Sequence, residues 1–150
     1  MQCDYFDTAR CRSCALMGTA YSGQLATKQA RCEAALGPAA QWEPPFASRP
    51  ERFRNKAKLV IGGDRAAPTV GILDRAGHGV DLRHCGLYEE GLAEAVLQVP
   101  DLVRDLGLVP YDVPRRTGEL KHVLVTHSPA SELMVRFVLR QPQHRLTFAQ

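Results

Sequence analysis

Cys3, Cys11 and Cys14 stand near the N-terminus as C-x7-C-x2-C, and Cys85 follows within Arg83-His84-Cys85-Gly86. Two thiolates two residues apart can grip one metal centre, because a tight turn brings both sulfurs to the same side. A third from the short loop and a fourth from afar complete a four-thiolate set. Such a site would pin the N-terminal segment to the body of the domain. Zinc, an iron–sulfur cluster and unliganded thiols all remain open, since the spacing does not separate zinc from iron. A disulfide framework fits poorly, with five cysteines and no apolar leader before them. A reducing, cytoplasmic setting is therefore expected, and no stretch approaches the length of a membrane span. The fifth thiol, Cys32, recurs with Leu25 and Leu36 on one helical face and reads as a small buried apolar residue.

The second candidate is a row of cations. Net charge is only +3, from 19 Lys+Arg against 16 Asp+Glu, too mild to require a nucleic-acid partner. Distribution says more. Arg52, Arg54, Lys56 and Lys58 alternate with Phe53, Asn55, Ala57, Leu59 and Ile61, a period of two that only a strand explains. The cations would then recur about every 6.6 Å along one face, comparable to the phosphates of a nucleic-acid strand. Arg136 and Arg140 would extend the row if their strand joins the same sheet. A plainly solvated outer face is the competing reading. Tyr5, Phe6 and Phe53 suit stacking on bases or a place in the core. The sequence holds no G-x-G-x-x-G, phosphate-loop or H-E-x-x-H motif. His78, His84, His122, His127 and His144 show no metal-ligand spacing among themselves.

The elements needed to position these groups follow from pattern. Residues 1–21 read as a loop around the cysteines. Ser22 is placed to cap a helix over 23–36, which Gly37-Pro38 stops. Prolines 38, 44, 45 and 50 make 37–51 an irregular connector. Strands are expected over 52–61 and 69–73 around Gly62-Gly63-Asp64, with a loop from Asp74 to Gly79 leading on to Cys85. An amphipathic helix runs from Leu92 to Gly107, and Pro100 should kink or divide it. Strands at 120–126 and 133–140 complete an α+β fold of antiparallel hairpins, with helices on one side. The chain divides into a cysteine-rich region (1–21 with 74–88), a helix and connector (22–51), and a central α+β domain (52–150).

Several segments together resemble the bacterial RNA uracil-C5 methyltransferases. They are Met1-Gln2-Cys3, Arg10-Cys11-Arg12-Ser13-Cys14, Phe53-Arg54-Asn55-Lys56-Ala57-Lys58, Gly118-Glu119-Leu120-Lys121 and Arg136-Phe137-Val138-Leu139-Arg140. The set is most similar to the short 23S ribosomal RNA enzymes that modify uridine 747, which begin at their cluster cysteines without a TRAM domain. The resemblance implies a structural [4Fe–4S] cluster on Cys3, Cys11, Cys14 and Cys85. It also implies a central domain that helps grip 23S rRNA through Arg52, Arg54, Lys56, Lys58, Lys121, Arg136 and Arg140. In that family a C-terminal Rossmann-like domain binds S-adenosylmethionine and carries a catalytic cysteine and a general-base glutamate. Nothing in residues 1–150 matches that domain, so no catalytic residue is assigned, and the chain is expected to be a monomer inactive by itself. A free-standing zinc-stabilised RNA-binding module is the alternative.

Overall fold

The computed structural model describes residues 2–140, the side chain of Ala39 excepted. Met1 and residues 141–150 lie outside the described residues, and with them His144 and the end of the expected central domain.

The alternating segment forms β1 (Lys56–Gly63), whose Ala57, Leu59 and Ile61 are buried while Lys56 and Lys58 stay exposed. This strand begins four residues later than the alternation suggests, because Arg52 has φ 51°, a left-handed conformation that breaks an extended run. After Gly62-Gly63-Asp64 the chain returns as β2 (Pro68–Leu73), then as a short β3 (Gly79–Asp81) where the sequence pattern suggests only loop. Two further strands, β4 (Leu120–His127) and β5 (Leu133–Leu139), follow a long helix. All five make one antiparallel sheet in the order β3-β2-β1-β4-β5. The two expected hairpins are thus fused through β1 and β4, with Leu59 opposite Val123 and Lys58 opposite Leu124.

That long helix, here α3 (Glu90–Asp105), packs across β2 and β4. Its Leu92, Val96, Val99 and Val103 meet Leu59, Ile61, Val70, Leu120, Val123 and Val125 in the hydrophobic core. Each fully buried side chain of this size stabilises the fold by about 1.5–3 kcal/mol relative to exposure. Of the two outcomes expected at Pro100, a kink or a division, the division does not occur; Pro100 lies inside a single element, and it is buried. Packing of this apolar face on the sheet offsets the hydrogen bond that proline cannot donate.

The N-terminal third is built differently. A single turn, α1 (Asp4–Asp7), precedes α2 (Tyr21–Leu36), and a 3-10 turn at Gly37–Ala39 follows. Ser22 is not the cap: α2 starts at Tyr21, preceded by Ala20, which offers no capping side chain. Gly37 ends the helix with φ 64°, the conformation glycine accepts most readily. None of α2's residues is buried. Cys32 is therefore exposed rather than a core residue, and Leu36 is 63% exposed. The stripe Leu25–Cys32–Leu36 exists in sequence but meets no sheet, since α3 already covers the apolar face.

Candidate metal centre and basic face

The cysteines are held by turns that interlock. The Cys3 carbonyl accepts from Phe6 N (2.9 Å) and Asp7 N (3.0 Å), so α1 is a turn wound directly after this thiol. Cys11 N donates to the Tyr5 carbonyl (2.9 Å), and Met17 N donates to that of Cys14 (3.0 Å). Cys85 lies between two tight turns, donating to Leu82 O (3.1 Å) and accepting from Tyr88 N (3.2 Å). One long-range link bridges the groups: His84 N donates to the Tyr5 hydroxyl at 3.2 Å. Arg10 lies over the Tyr5 ring and Arg12 over that of Phe6, at 5.5 and 4.3 Å from the ring centres. The Tyr5 and Phe6 rings thus already carry a cation each.

All four thiols are half-buried and lie within electrostatic reach of one another. Burial pushes the Cys14 thiol up, and the charges of Cys11 and Cys3 push it further, against the opposing pull of Arg54. Burial also raises Cys85, with Cys14 and Cys3 adding to it; a backbone hydrogen bond at Leu87 and the Arg54 guanidinium act in the opposite direction. Tyr88 is pushed up to about 12 by burial and then by its neighbour Cys85. Mutual repulsion among half-buried thiolates is what a bound cation relieves. Among the described residues, however, no group of three or more His, Cys, Asp or Glu could hold a metal ion. A lone zinc needs its four sulfurs about 2.3 Å from one point. A cluster interposes several iron and sulfide atoms, so its cysteine sulfurs stand farther apart.

The expected row of cations is broken into groups. Lys56 and Lys58 project from β1 on the face opposite the core, and pairing sets Lys58, Leu124 and Arg136 in one row across three strands. Lys58 and Arg136 are then two strand spacings, about 10 Å, apart. Val60 is paired with His122, which places the histidine on the same face. Its pKa is held below the ordinary value by burial, then by the charges of Lys58 and Lys121, and its Nδ1 is buried without a partner. Lys121 and Arg140 gather instead over the Tyr111 ring, at 4.9 and 5.9 Å. Arg140 also donates from Nη1 to Arg116 O at 2.7 Å. Arg52 and Arg54 precede β1 and are bonded through their backbones to another segment. Arg52 N donates to Gly86 O (3.0 Å), Arg54 N to Leu87 O (2.8 Å), and Glu89 N to Arg54 O (3.0 Å), which ties both to the strand of chain beyond Cys85.

Two arrangements are not legible from the sequence pattern. Glu89 caps α3, accepting from Leu92 N (2.7 Å) and Gly91 N (3.2 Å), while its carboxylate also meets His127 Nδ1 at 2.8 Å. A β-carbon at Gly91 would collide with the His127 ring. An acidic residue just ahead of the apolar rhythm was the available signal for the cap, but its partner lies 38 positions away on β4. The other is a cleft of about 700 Å³ between the cysteine loop, α2 and the connector, with Phe53 in its wall. Phe53, which the alternation places inward, is 49% exposed there.

No protein-family model matches the chain. The fold is shared with the tRNA (uracil-54, C5)-methyltransferase of Pyrococcus abyssi, whose crystal structure contains S-adenosyl-L-homocysteine. That likeness has a TM-score of 0.67 and covers 89% of this chain and 32% of the other, at 20% identity. The sheet with its single covering helix is thus an architecture found within RNA uracil-C5 methyltransferases. Sequence comparison is more specific. The 23S rRNA (uracil(747)-C(5))-methyltransferase RlmC of Halothiobacillus neapolitanus is 46% identical over 142 residues, 93% of this chain and 38% of that protein. Its namesake from Xenorhabdus bovienii is 40% identical over 159 residues, 100% of this chain and 42% of that protein. Over nearly its whole length the chain is thus similar to 23S rRNA (uracil(747)-C(5))-methyltransferases, and it spans about two-fifths of the length of these relatives.

Proposed function

We propose that these residues are the N-terminal and central part of an S-adenosylmethionine-dependent enzyme that forms 5-methyluridine at position 747 of 23S rRNA. The supporting observation is the 46% identity to such an enzyme across 93% of the chain. Within this reading, residues 1–21 and 74–88 form the cluster region, 22–51 a connector, and 52–150 the RNA-contacting domain. Cys3, Cys11, Cys14 and Cys85 hold a [4Fe–4S] cluster whose role is structural. Lys56, Lys58 and Arg136, with Lys121 and Arg140 near the sheet's far end, supply part of the grip on RNA through phosphate charge. Methyl transfer itself belongs to sequence that these 150 residues do not include.

Anaerobic purification followed by iron, sulfide and zinc analysis tests the cluster. Brown protein with about four irons per chain supports it; colourless protein with one zinc makes the chain a zinc-stabilised RNA-binding module instead. Charge reversal at Lys56, Lys58 and Arg136 should weaken binding to 23S rRNA fragments. It should also flatten the salt dependence by about 2, since each phosphate left unneutralised on a single strand takes away about 0.7 of the slope. Wild-type affinity in that variant would leave the face merely solvated. A methyl-transfer assay on unmodified rRNA should show no turnover with this polypeptide alone.

A further inference from the structure

The cleft beside the cysteine loop has a composition that the metal site does not explain. Its walls are the loop from Ser13 to Ala20, the first half of α2, and the connector at Ser48–Pro50 with Phe53; Leu87 closes the floor. Lys28 and Arg49 line it, and no Asp or Glu does. Neither cation takes part in an ion pair among the described residues. Leu16, Met17 and Phe53 add apolar and aromatic surface to the same lining. A lining with two cations, no acid and a half-exposed ring suits a flat, apolar-faced group that carries negative charge. At about 700 Å³ the volume falls within the range of small-molecule pockets.

The walls are also tied in place. Gln24 Nε2 donates to Leu16 O (3.0 Å) and Thr19 O (2.9 Å), fastening the loop to α2. Across the cleft, Ser48 N donates to the Tyr21 hydroxyl at 3.0 Å, fastening α2 to the connector. One wall is the chain that leaves Cys14.

We propose that this cleft receives one unpaired nucleotide of single-stranded RNA, its base against Phe53 and its phosphates between Lys28 and Arg49. The inference rests on the RNA-binding reading above and adds a subsite away from the β1–β4–β5 face.

Photo-crosslinking of the 150-residue protein, purified with its metal, to a short single-stranded RNA carrying 4-thiouridine tests this. Adducts are expected on peptides covering Leu16–Gln24 or Phe53. The double variant Lys28→Gln/Arg49→Gln should flatten the salt dependence of binding by up to about 1.4. Phe53→Leu, which keeps the apolar contact, should weaken binding by about fivefold or more, as loss of a base–aromatic stack does. Lys28 and Arg49 are exposed, so the double variant should fold, and an unchanged visible spectrum checks that it does. Adducts confined to β1, β4 or β5, or equal binding of fully paired RNA, would overturn the cleft while leaving the RNA-binding reading intact. Wild-type protein that binds no RNA even at low salt would remove both.

Discussion

Arg54 alternates with Lys56 and Lys58 in sequence, yet its backbone is bonded to Leu87 and Glu89, and its charge opposes the raised pKa values of Cys14 and Cys85. A cation beside half-buried thiols favours the thiolate, the form that binds metal. Removing it raises both thiol pKa values further, so protons compete with metal up to a higher pH. Arg54→Gln should therefore lose its metal at a higher pH than wild type when the protein is titrated towards acid in the presence of a chelator. Lys56→Gln, on the solvated face, should follow the wild-type curve. Coincident curves for wild type and Arg54→Gln, read by visible absorbance and metal analysis, would return Arg54 to the proposed row of RNA-contacting cations. The alternation gives no warning of this separation, because a period of two assigns faces only while the chain stays extended. The left-handed Arg52 and the pairing of Arg54 with Tyr88 lie just outside that stretch.

At the scale of elements, α3 is held at its start by one side chain with three partners. Glu89 accepts two helix N–H groups and meets His127 of β4, which stitches the helix to the sheet at the point where it begins. Glu89→Ala should lower stability by about 1–2 kcal/mol, the usual worth of a helix cap, seen as an earlier urea midpoint with an unchanged slope. A midpoint within a few tenths of a kcal/mol of wild type would make the arrangement incidental. The helix itself was legible from its apolar rhythm at Leu92, Val96, Val99 and Val103, and β1, β2, β4 and β5 from their alternation and turns. Less legible were β3, only three residues long, and the fate of α2. Periodicity reports that a face is apolar; it does not report whether another element has taken the surface it would cover. Here α3 has it, and Cys32 faces water. The cysteine set was legible in type and spacing, whereas its setting was not, since Tyr5, Arg54 and Tyr88 reach it from three separate parts of the chain.

Across the whole molecule, stability is unevenly distributed. Among the described residues every buried apolar one falls at position 57 or beyond, and neither α1 nor α2 buries any. Among the described residues, the long-range hydrogen bonds tying the first 54 residues to the rest are few: Tyr5 with His84, Arg52 with Gly86, and Arg54 with Leu87 and Glu89, Phe53 N also reaching Leu87 O. A segment without a core opens at little cost unless a cross-link holds it. In the proposed reading Cys3, Cys11 and Cys14 on one side and Cys85 on the other make that cross-link, and Cys85 packs against the core cluster that supports the sheet. Metal bound to the folded arrangement contributes its binding energy to the order of that segment. Stripping the metal, or replacing Cys85 by Ser, should therefore speed amide exchange across residues 2–36 and at 82–88, while β1, β4 and α3 stay protected. Cooperative loss of protection everywhere would mean that the sheet and α3 do not stand without the cross-link. Unchanged exchange near the cysteines would mean that they are not one. The core argues for the first outcome, because Leu59, Ile61, Leu92, Val96, Val123 and Val125 meet one another with no help from the N-terminal third.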